Sequence, residues 1–388
     1  MANRWVALAI VFVTRTSMGF QFQAVAAVAP LMVADLQLTW VQLGSLIGLY
    51  MLPGAVFALP GGVLGQRFGE RRMVVGSLAL MVAGGLVTAA AHGFITAAAG
   101  RLLSGIGAVL MNILLAKMVA DWFADREMST AMGVMLTSWP VGLGIATETL
   151  GALATHASWR TAIVATALVA ALGLVLIAFA YRDPPRTAAR SAERRVRLTG
   201  RELALATSGG FAWGCFNASL VAIIAFGPGL LIARGASLGD AGFTVSLAIW
   251  LTMLSVPLGG LLSDRLGRPN VMIVAGSLVA ALVTMLLPAI THSLLAFCLV
   301  GLAIGAPPGA LMALLPKAVA SERLATALGV YYTTYYVVMA AVQLAAGGVR
   351  DLFGSPAAPI LLAALVMAAT IVGFAVFRLV ERTAPRTG

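Results

Sequence analysis

The sequence predicts an all-α membrane protein with twelve transmembrane helices, arranged as two pseudo-symmetric bundles of six. Of the 388 residues, 61% are hydrophobic and only 10% are charged, whereas charged residues make up about 25% of a typical soluble domain. The apolar residues form long runs without strand-like alternation, and a membrane-spanning helix needs about 20 of them. The two halves of the chain also repeat each other, which indicates two related bundles.

Short polar segments separate the apolar runs and set the ends of the predicted helices. The longest of them, residues 183–202, is rich in Arg, Pro, Ala and Ser, a composition typical of a linker. We interpret it as a cytoplasmic connection between an N-terminal bundle, residues 1–182, and a C-terminal bundle, residues 203–388. The predicted spans are 5–34, 41–65, 73–91, 94–118, 128–153 and 159–181 in the first bundle, and 203–233, 238–262, 271–290, 293–316, 324–348 and 357–380 in the second.

The internal repeat has a shift of about 200 residues. The segment Gly62–Gly69 resembles Gly260–Gly267, and the two lysines of the chain, Lys117 and Lys317, each end a span at equivalent places. Internal repeats of several spans are typical of transporters whose binding site lies between the repeats, near the middle of the bilayer. The repeat therefore predicts a transporter with its site at the interface of the two bundles.

The basic residues are distributed unevenly between the two sides of the predicted membrane protein. The chain carries a net charge of +11 with 25 Lys and Arg residues, and most of them fall in the loops on the side of the N-terminus. Cytoplasmic loops carry such an excess, so both termini are predicted to be cytoplasmic, in a multi-pass protein of a bacterial-type inner membrane. The positive charge is therefore explained by orientation in the lipid bilayer, and nucleic acid is not expected as a partner. Because the first run is long and interrupted, it is predicted to stay as an uncleaved span.

Arg15 lies inside the first predicted span, near the depth of the bilayer centre. A charge there costs about 2.5–3.5 kcal/mol on insertion scales, so such residues are candidates for function. No Asp or Glu of the same run lies near it. We predict that Arg15 binds a substrate anion, because a guanidinium offers a rigid donor fork that suits a carboxylate or a triatomic anion. The alternative is a structural arginine satisfied by carbonyls of neighbouring helices.

Two loop segments carry a family resemblance. Gly62–Arg72 and Gly260–Arg268 resemble the Gly-x-Leu-x-Asp-Arg-x-Gly-Arg-Arg motif of the major facilitator superfamily, although Gln66 and Glu70 stand in the first copy where Asp and Arg are usual. The resemblance implies that these loops make and release charge contacts during a conformational change. Because Gln66 has no charge, the first contact is expected to be the weaker one. The predicted gating residues are Gln66, Arg67, Gly69, Asp264, Arg265, Gly267 and Arg268, with Pro140 as a kink.

Two further segments extend the resemblance over essentially the whole chain. Arg101–Gly107 is similar to the Arg-x-x-x-Gly-x-Gly motif of the family's fourth helix, and Ser138–Gly144 partly matches the Gly-Pro-x-x-Gly-Gly motif of the fifth. The family implies alternating access around a cavity lined by the first, fourth, seventh and tenth helices. Arg15, the Trp139-Pro140 pair and the short loops look most like the cyanate permease and nitroimidazole transporter group, with nitrate, nitrite, oxalate and formate carriers as neighbouring alternatives.

Aromatic and polar side chains in the middle of several spans complete the predicted site. Tyr and Trp rings with a few polar tips fit a small planar ligand, although single aromatic residues also pack helix contacts or lie at the headgroups. The motif does not decide whether Arg101 binds substrate or packs helices together. The predicted substrate-binding residues are Arg15, Tyr50, Arg101, Trp139, Trp213, Asn217, Trp250, Tyr331, Tyr332 and Tyr335.

Few acidic residues lie within the spans. Glu148 is the one carboxylate clearly inside a span, near its outer end, and it is the candidate for ion coupling. No enzyme motif, cofactor motif or metal-ligand cluster can be recognised, so the sequence predicts a transporter of a small organic or inorganic anion that needs no cofactor or metal, and we expect a monomer. The alternative is a multidrug or metabolite exporter of the same fold with an aromatic, apolar pocket.

Overall fold

The structure is a computed structural model that describes residues 3–58, 60, 65, 67–123, 127–183 and 197–382. We number its helices α1 to α12 by the span to which they belong, and a span made of several pieces keeps one number. The bounds are α1 Arg4–Ala27, continued by Ala29–Leu36; α2 Trp40–Met51 and Gly54–Phe57; α3 Glu70–Ala89; α4 Phe94–Trp122; α5 Met128–His156; α6 Trp159–Val175, ending in the π-turn Leu176–Ala180; α7 Gly200–Ile232; α8 Leu238–Leu266; α9 Pro269–Leu286; α10 Ser293–Ala303, Pro307–Met312 and Leu314–Ala318; α11 Ser321–Phe353; and α12 Ala358–Arg382.

Eleven of these spans are long and apolar enough, within the described residues, to cross a membrane. The remaining one, α5, has 29 residues and a composition richer in Ser, Thr and Gly. It packs along α1 of its own bundle and along α8 of the other bundle. The predicted all-α membrane fold is confirmed.

Hydroxyl side chains fix where several helices begin. Thr39 accepts a hydrogen bond from the backbone nitrogen of Gln42, and Thr199 accepts one from that of Glu202. In both cases the side chain of the third helical residue also accepts a hydrogen bond from the backbone nitrogen of the capping threonine. This pair of bonds is a capping box at the start of α2 and of α7. Because Thr199 caps it, α7 begins at Gly200, slightly before the predicted boundary at 203.

The helix pairs show a two-fold relationship between the bundles. In the N-terminal bundle α1 packs on α5 and α3 packs on both α4 and α6. The equivalent pairs in the C-terminal bundle are α7 with α11, and α9 with α10 and α12. Between the bundles, α2 packs on α11 and α5 packs on α8. These last two pairs are exchanged when one bundle is mapped onto the other, as a pseudo-two-fold axis requires.

A glycine of the repeated loop motif has a positive φ in each bundle. Gly69, before α3, has a φ of 87°, and Gly267, before α9, has a φ of 59°. Residues with a side chain rarely adopt such values. Both positions therefore favour glycine where the chain passes from one helix to the next, although ψ differs, at 127° for Gly69 and 21° for Gly267.

The two bundles contact each other more closely at one end than at the other. We call the end where α2 begins the Trp40 end, and the opposite end, which holds the repeated loops, the Arg67 end. Trp40 and Val41 donate backbone hydrogen bonds to Asp351 of α11 over 2.9 and 2.7 Å. Farther along α2, in its half nearer the Arg67 end, Thr333 donates to the carbonyl oxygen of Ala55 over 3.3 Å. Among the described residues, no hydrogen bond or ion pair joins the bundles beyond this contact toward the Arg67 end, so this conformation is closed at the Trp40 end.

Glycines allow this closure. A Cβ atom on Gly44 or Gly347 would collide with a carbonyl oxygen of the facing helix, Gln343 and Trp40 respectively. A Cβ on Gly242 of α8 would likewise collide with the carbonyl oxygen of Thr147 in α5. The interface between the bundles is thus built from backbone approaching backbone, which is typical of helices packed through small residues in a membrane.

A candidate anion site between the bundles

Arg15 is buried at the centre of the N-terminal bundle, with 7% of its surface exposed. Its Nε atom donates to Oδ1 of Asn112 in α4 over 2.8 Å. Its Nη1 atom donates to Oγ of Ser138 over 3.0 Å and to the carbonyl oxygens of Met135 and Leu136 over 3.1 and 3.3 Å. The guanidinium therefore joins α1 to α4 and α5.

Pro140 explains why α5 can accept these bonds. Proline has no backbone N–H, so the carbonyl oxygen four residues earlier, that of Leu136, receives no helical hydrogen bond from it. A buried carbonyl without a donor costs free energy, and Nη1 of Arg15 supplies one. Pro140 was predicted as a kink in the helix, and in the structure it also leaves a carbonyl oxygen of α5 available to accept a hydrogen bond from Arg15.

One nitrogen of Arg15 remains available. Nη2 makes no hydrogen bond with the described residues, and Arg15 forms no ion pair with any of their carboxylates. Both bidentate edges of a guanidinium include Nη2 together with Nε or Nη1. Because Nε and Nη1 are occupied, the complete fork expected from the sequence is not presented, and the free donors lie on a single nitrogen.

Three tyrosines of α11 bring the C-terminal bundle to this arginine. Tyr332, Tyr335 and Tyr336 lie within electrostatic range of the guanidinium. Tyr336 is also a side-chain partner of Asn112. Asn112 therefore connects Arg15 of one bundle with a tyrosine hydroxyl of the other, at the interface where the sequence predicts the site.

Aromatic rings line the same region. Trp139 follows Ser138 directly and is partly exposed, and its ring lies 5.3 Å from that of Phe22. In α11, Tyr332 and Tyr335 meet edge to face with ring centroids 6.1 Å apart, and both are partly exposed. A cationic nitrogen beside the Tyr332 and Tyr335 rings is an arrangement that suits an anion with an apolar body.

Arg101 is buried differently from Arg15. Its Nε, Nη1 and Nη2 atoms donate to the carbonyl oxygens of Leu46, Gln21 and Phe22 over 2.9 to 3.0 Å. The guanidinium carbon lies 4.4 Å from the ring centroid of Tyr50, which is itself fully buried. All three nitrogens of Arg101 are therefore engaged in joining α4 to α1 and α2. This geometry favours the packing role that the motif left open.

The remaining predicted aromatic residues lie in other contacts. Trp213 stacks on Phe216 with a centroid distance of 5.7 Å, and Asn217 donates to the carbonyl oxygen of Trp213 over 2.9 Å. Trp250 packs on Gly144 of α5, where the two bundles meet. Tyr331 is buried against α7, and its hydroxyl has no hydrogen-bond partner among the described residues. Among the described residues, none of these four side chains contacts Arg15 itself, and Tyr331 reaches it only through its edge-to-face contact with Tyr332, 5.4 Å between ring centroids. Their role in binding stays a prediction.

The predicted gating and coupling residues are only partly described. Gln66 lies outside the described residues, as does the side chain of Asp264. Arg67 contacts the ring of Phe68, while Arg265, Arg268 and Glu148 make no ion pair with the described residues. Glu148 is exposed. Their roles in switching and coupling therefore stay predictions.

Three residues at the site were missed or left out by sequence reasoning. Asn112 is the one polar residue between Ser104 and Lys117 in α4, and this isolation was the signal that could have singled it out. Ser138 was considered only as part of a motif. Tyr336 shares a helix face with Tyr332, but only the structure shows that it lies beside Arg15 and Asn112.

Helices of membrane length arranged with a two-fold relationship between two bundles are typical of membrane transport proteins. The chain belongs to the Major Facilitator Superfamily, whose model matches residues 11–231 and 203–388. Proteins of this family are transporters and not enzymes, and the chain is an integral membrane transporter.

Characterised relatives and solved structures agree with this assignment. The chain is 28% identical to the 3-(3-hydroxy-phenyl)propionate transporter of Escherichia coli K12, over 76% of this chain and 73% of that protein. It is 25% identical to the hexuronate transporter of Bacillus subtilis 168, over 62% of this chain and 60% of that protein. A bacterial homologue of the human lysosomal transporter Spinster, solved in an inward-facing and occupied conformation, has the same fold, with a TM-score of 0.76, 18% identity and coverage of 99% of this chain and 98% of that one.

Proposed function

We propose that this protein is a secondary transporter that moves a small organic anion by alternating access, with Arg15 as the positive anchor between the bundles. The observation that carries the proposal is the state of Arg15, which is buried, has no carboxylate partner among the described residues and keeps one nitrogen free. A buried charge without a counter-ion is costly. An anion that arrives from solution would remove that cost for as long as it is bound.

The relatives support an organic rather than an inorganic anion. Both of the characterised relatives above are named for organic acids, one aromatic and one a sugar acid. The narrower resemblance to the cyanate permease and nitroimidazole transporter group remains an alternative within this proposal, so cyanate and nitrate belong in the test. We also propose a monomer with both termini in the cytoplasm, and Glu148 as the candidate for ion coupling.

The test is ligand-dependent thermal stabilisation of the purified protein in detergent, followed by uptake into proteoliposomes. A ligand that binds only the folded state raises the melting temperature. The probes are 3-phenylpropionate, glucuronate, cyanate, nitrate and the apolar cation tetraphenylphosphonium. We expect stabilisation and uptake with an organic anion only.

Matched variants separate binding from folding. Arg15→Gln removes the charge but keeps hydrogen-bond donors for α5, and Arg72→Gln is the control because Arg72 is exposed. The first variant should lose anion stabilisation, and the second should keep it. Anion-dependent stabilisation that persists in Arg15→Gln would refute the anchor. Stabilisation by tetraphenylphosphonium alone, retained in both variants, would establish the exporter alternative.

A further inference from the structure

The number of available positive charges limits the charge of the ligand. Among the described residues, Arg15 and Arg101 are the only buried basic side chains. All three nitrogens of Arg101 donate to backbone carbonyl oxygens, which leaves Arg15 alone to balance an anion. A second negative charge on the ligand would have no partner there, and an uncompensated charge away from water is strongly disfavoured.

The donors that Arg15 still offers limit how the anion is held. A carboxylate normally binds an arginine through two parallel hydrogen bonds, but here only Nη2 is free within the described part of the site. One carboxylate oxygen can bind this nitrogen. The other oxygen needs a donor from a different residue.

Tyr336 is placed to be that donor. Like Tyr332 and Tyr335 it lies within electrostatic range of Arg15, and among these three it is the one beside Asn112, which Arg15 also binds. Its ring occupies the space where a Cβ of Gly54 would be, so α2 holds it in position. A phenol has one O–H to donate. With the Asn112 amide beside its oxygen, that proton can point to a bound anion.

From these contacts we propose that the site selects a carboxylate with a single negative charge on an aromatic body, bound at once by Nη2 of Arg15 and the hydroxyl of Tyr336. The inference rests on the proposed function and deepens it by naming the substrate class. The ring of such a ligand would lie between Trp139 and Tyr332, both partly exposed, whose faces and edges favour aromatic over aliphatic partners. Tyr336 is thus a residue that determines specificity, contributed by the opposite bundle from Arg15.

Ligands that differ in one feature test each part of the proposal. Benzoate and phthalate share a ring and differ by one carboxylate, and benzoate and cyclohexanecarboxylate share the charge and differ in the ring. Binding to the purified full-length protein is measured by calorimetry at pH 7.5, where the carboxylates are ionised. We expect benzoate to bind, phthalate to bind at least about tenfold more weakly because a buried charge stays unpaired, and cyclohexanecarboxylate to bind about three- to tenfold more weakly.

A pair of tyrosine variants tests the second donor. Tyr336→Phe should weaken benzoate binding about tenfold or more, the usual effect of losing a hydrogen bond to a charged group. Tyr181→Phe is the control because Tyr181 lies beyond the end of α6 and bonds Trp122. Melting temperatures of both variants, measured without ligand, show whether they are folded.

The outcomes distinguish this inference from the proposed function. If benzoate does not bind but glucuronate stabilises the protein in an Arg15-dependent way, the substrate class is wrong and the anchor stands. Equal binding of benzoate and phthalate, or unchanged binding in Tyr336→Phe, would overturn the selection of a single charge or the second donor. If neither benzoate nor any anion of the first panel binds through Arg15, the proposed function itself fails.

Discussion

Asp351, in the last turn of α11, caps the first turn of α2 by accepting the backbone hydrogen bond of Trp40 over 2.9 Å. Its other oxygen accepts the bond of Val41. The neighbouring Arg350 places its guanidinium carbon 4.3 Å from the Trp40 ring centroid. One bundle therefore provides the capping carboxylate for a helix of the other, and the cap exists only while the Trp40 end is closed.

Asp351→Asn should open the Trp40 end more often. The amide can replace one of the two hydrogen bonds, but it loses the favourable interaction of a negative charge with a helix N-terminus, about 0.3–1 kcal/mol at an exposed site. The measurement is the rate at which a membrane-impermeant maleimide labels Ala26→Cys, which lines a small cleft between the bundles at this end. Cys215 and Cys298 are replaced by serine in the background.

We expect labelling to be about two- to fivefold faster than in the parent protein. Asp240→Asn is the control, because Asp240 lies in the first turn of α8 and accepts its bond from Ser237 of the same bundle. Equal labelling rates in all three proteins would show that the Asp351 cap does not hold the bundles closed.

Gly44→Ala should destabilise the closed conformation. The added Cβ would collide with the carbonyl oxygen of Gln343, so α2 and α11 must separate, and overpacking of this kind costs about 1–3 kcal/mol. Gly76→Ala is the matched control, since a Cβ there meets no atom within 4 Å. Both changes gain the same helix propensity, so a lower melting temperature for Gly44→Ala alone isolates the contact. Two similar melting temperatures would contradict the close packing.

Arg101→Lys should lower stability more than it changes ligand affinity. A lysine keeps the charge but cannot reach the carbonyl oxygens of Gln21, Phe22 and Leu46 in the geometry of a guanidinium. Each lost charge-assisted bond is worth about 1.5–3 kcal/mol, so the melting temperature should fall clearly relative to Arg72→Lys on the surface. A variant with unchanged melting but abolished anion binding would instead place Arg101 in the site.

Asp35 should make stability depend on pH in the acid range. Hydrogen bonds from Arg160 and Trp159 hold the pKa of Asp35 below its ordinary value. Because the unfolded chain takes up the proton first as pH falls, the contribution of Asp35 is fully present above about pH 4, the ordinary aspartate pKa. It is lost as pH falls through the lower pKa of the folded protein.

The check is the difference in melting temperature between the wild type and Asp35→Asn. It should be constant from neutral pH to about pH 5 and should shrink below about pH 4. It should also decrease at high salt, because the ion pair with Arg160 is exposed. A difference that stays constant into the acid range would show that the two bonds do not favour the charged carboxylate.

The sequence predicted the fold because its signals are long and repeated. Three signals can be recognised along the sequence without knowledge of the tertiary structure. They are the apolar runs of membrane length, the shift of about 200 residues and the paired Gly69 and Gly267. Arg15 was also predictable as a buried cation, since its depth in the first span and the lack of a nearby acid can be read along one helix.

The orientation of that cation was not predictable in the same way. Which nitrogen stays free depends on Asn112, 97 positions away in the chain, and on a carbonyl left without a donor by Pro140. The opposite roles of Arg15 and Arg101 have the same origin. Both are arginines in apolar helices, and only the facing helices decide that Arg101 has all three nitrogens engaged while Arg15 keeps one.

The single free charge of Arg15 has an electrical consequence under the proposed function. An empty site carries one positive charge, whereas a site holding a monovalent anion is neutral. A membrane potential does work only on net charge that moves through the field, about 2.3 kcal/mol per elementary charge for each 100 mV. The return of the empty carrier, rather than the passage of the loaded one, would then be the voltage-sensitive half of the cycle.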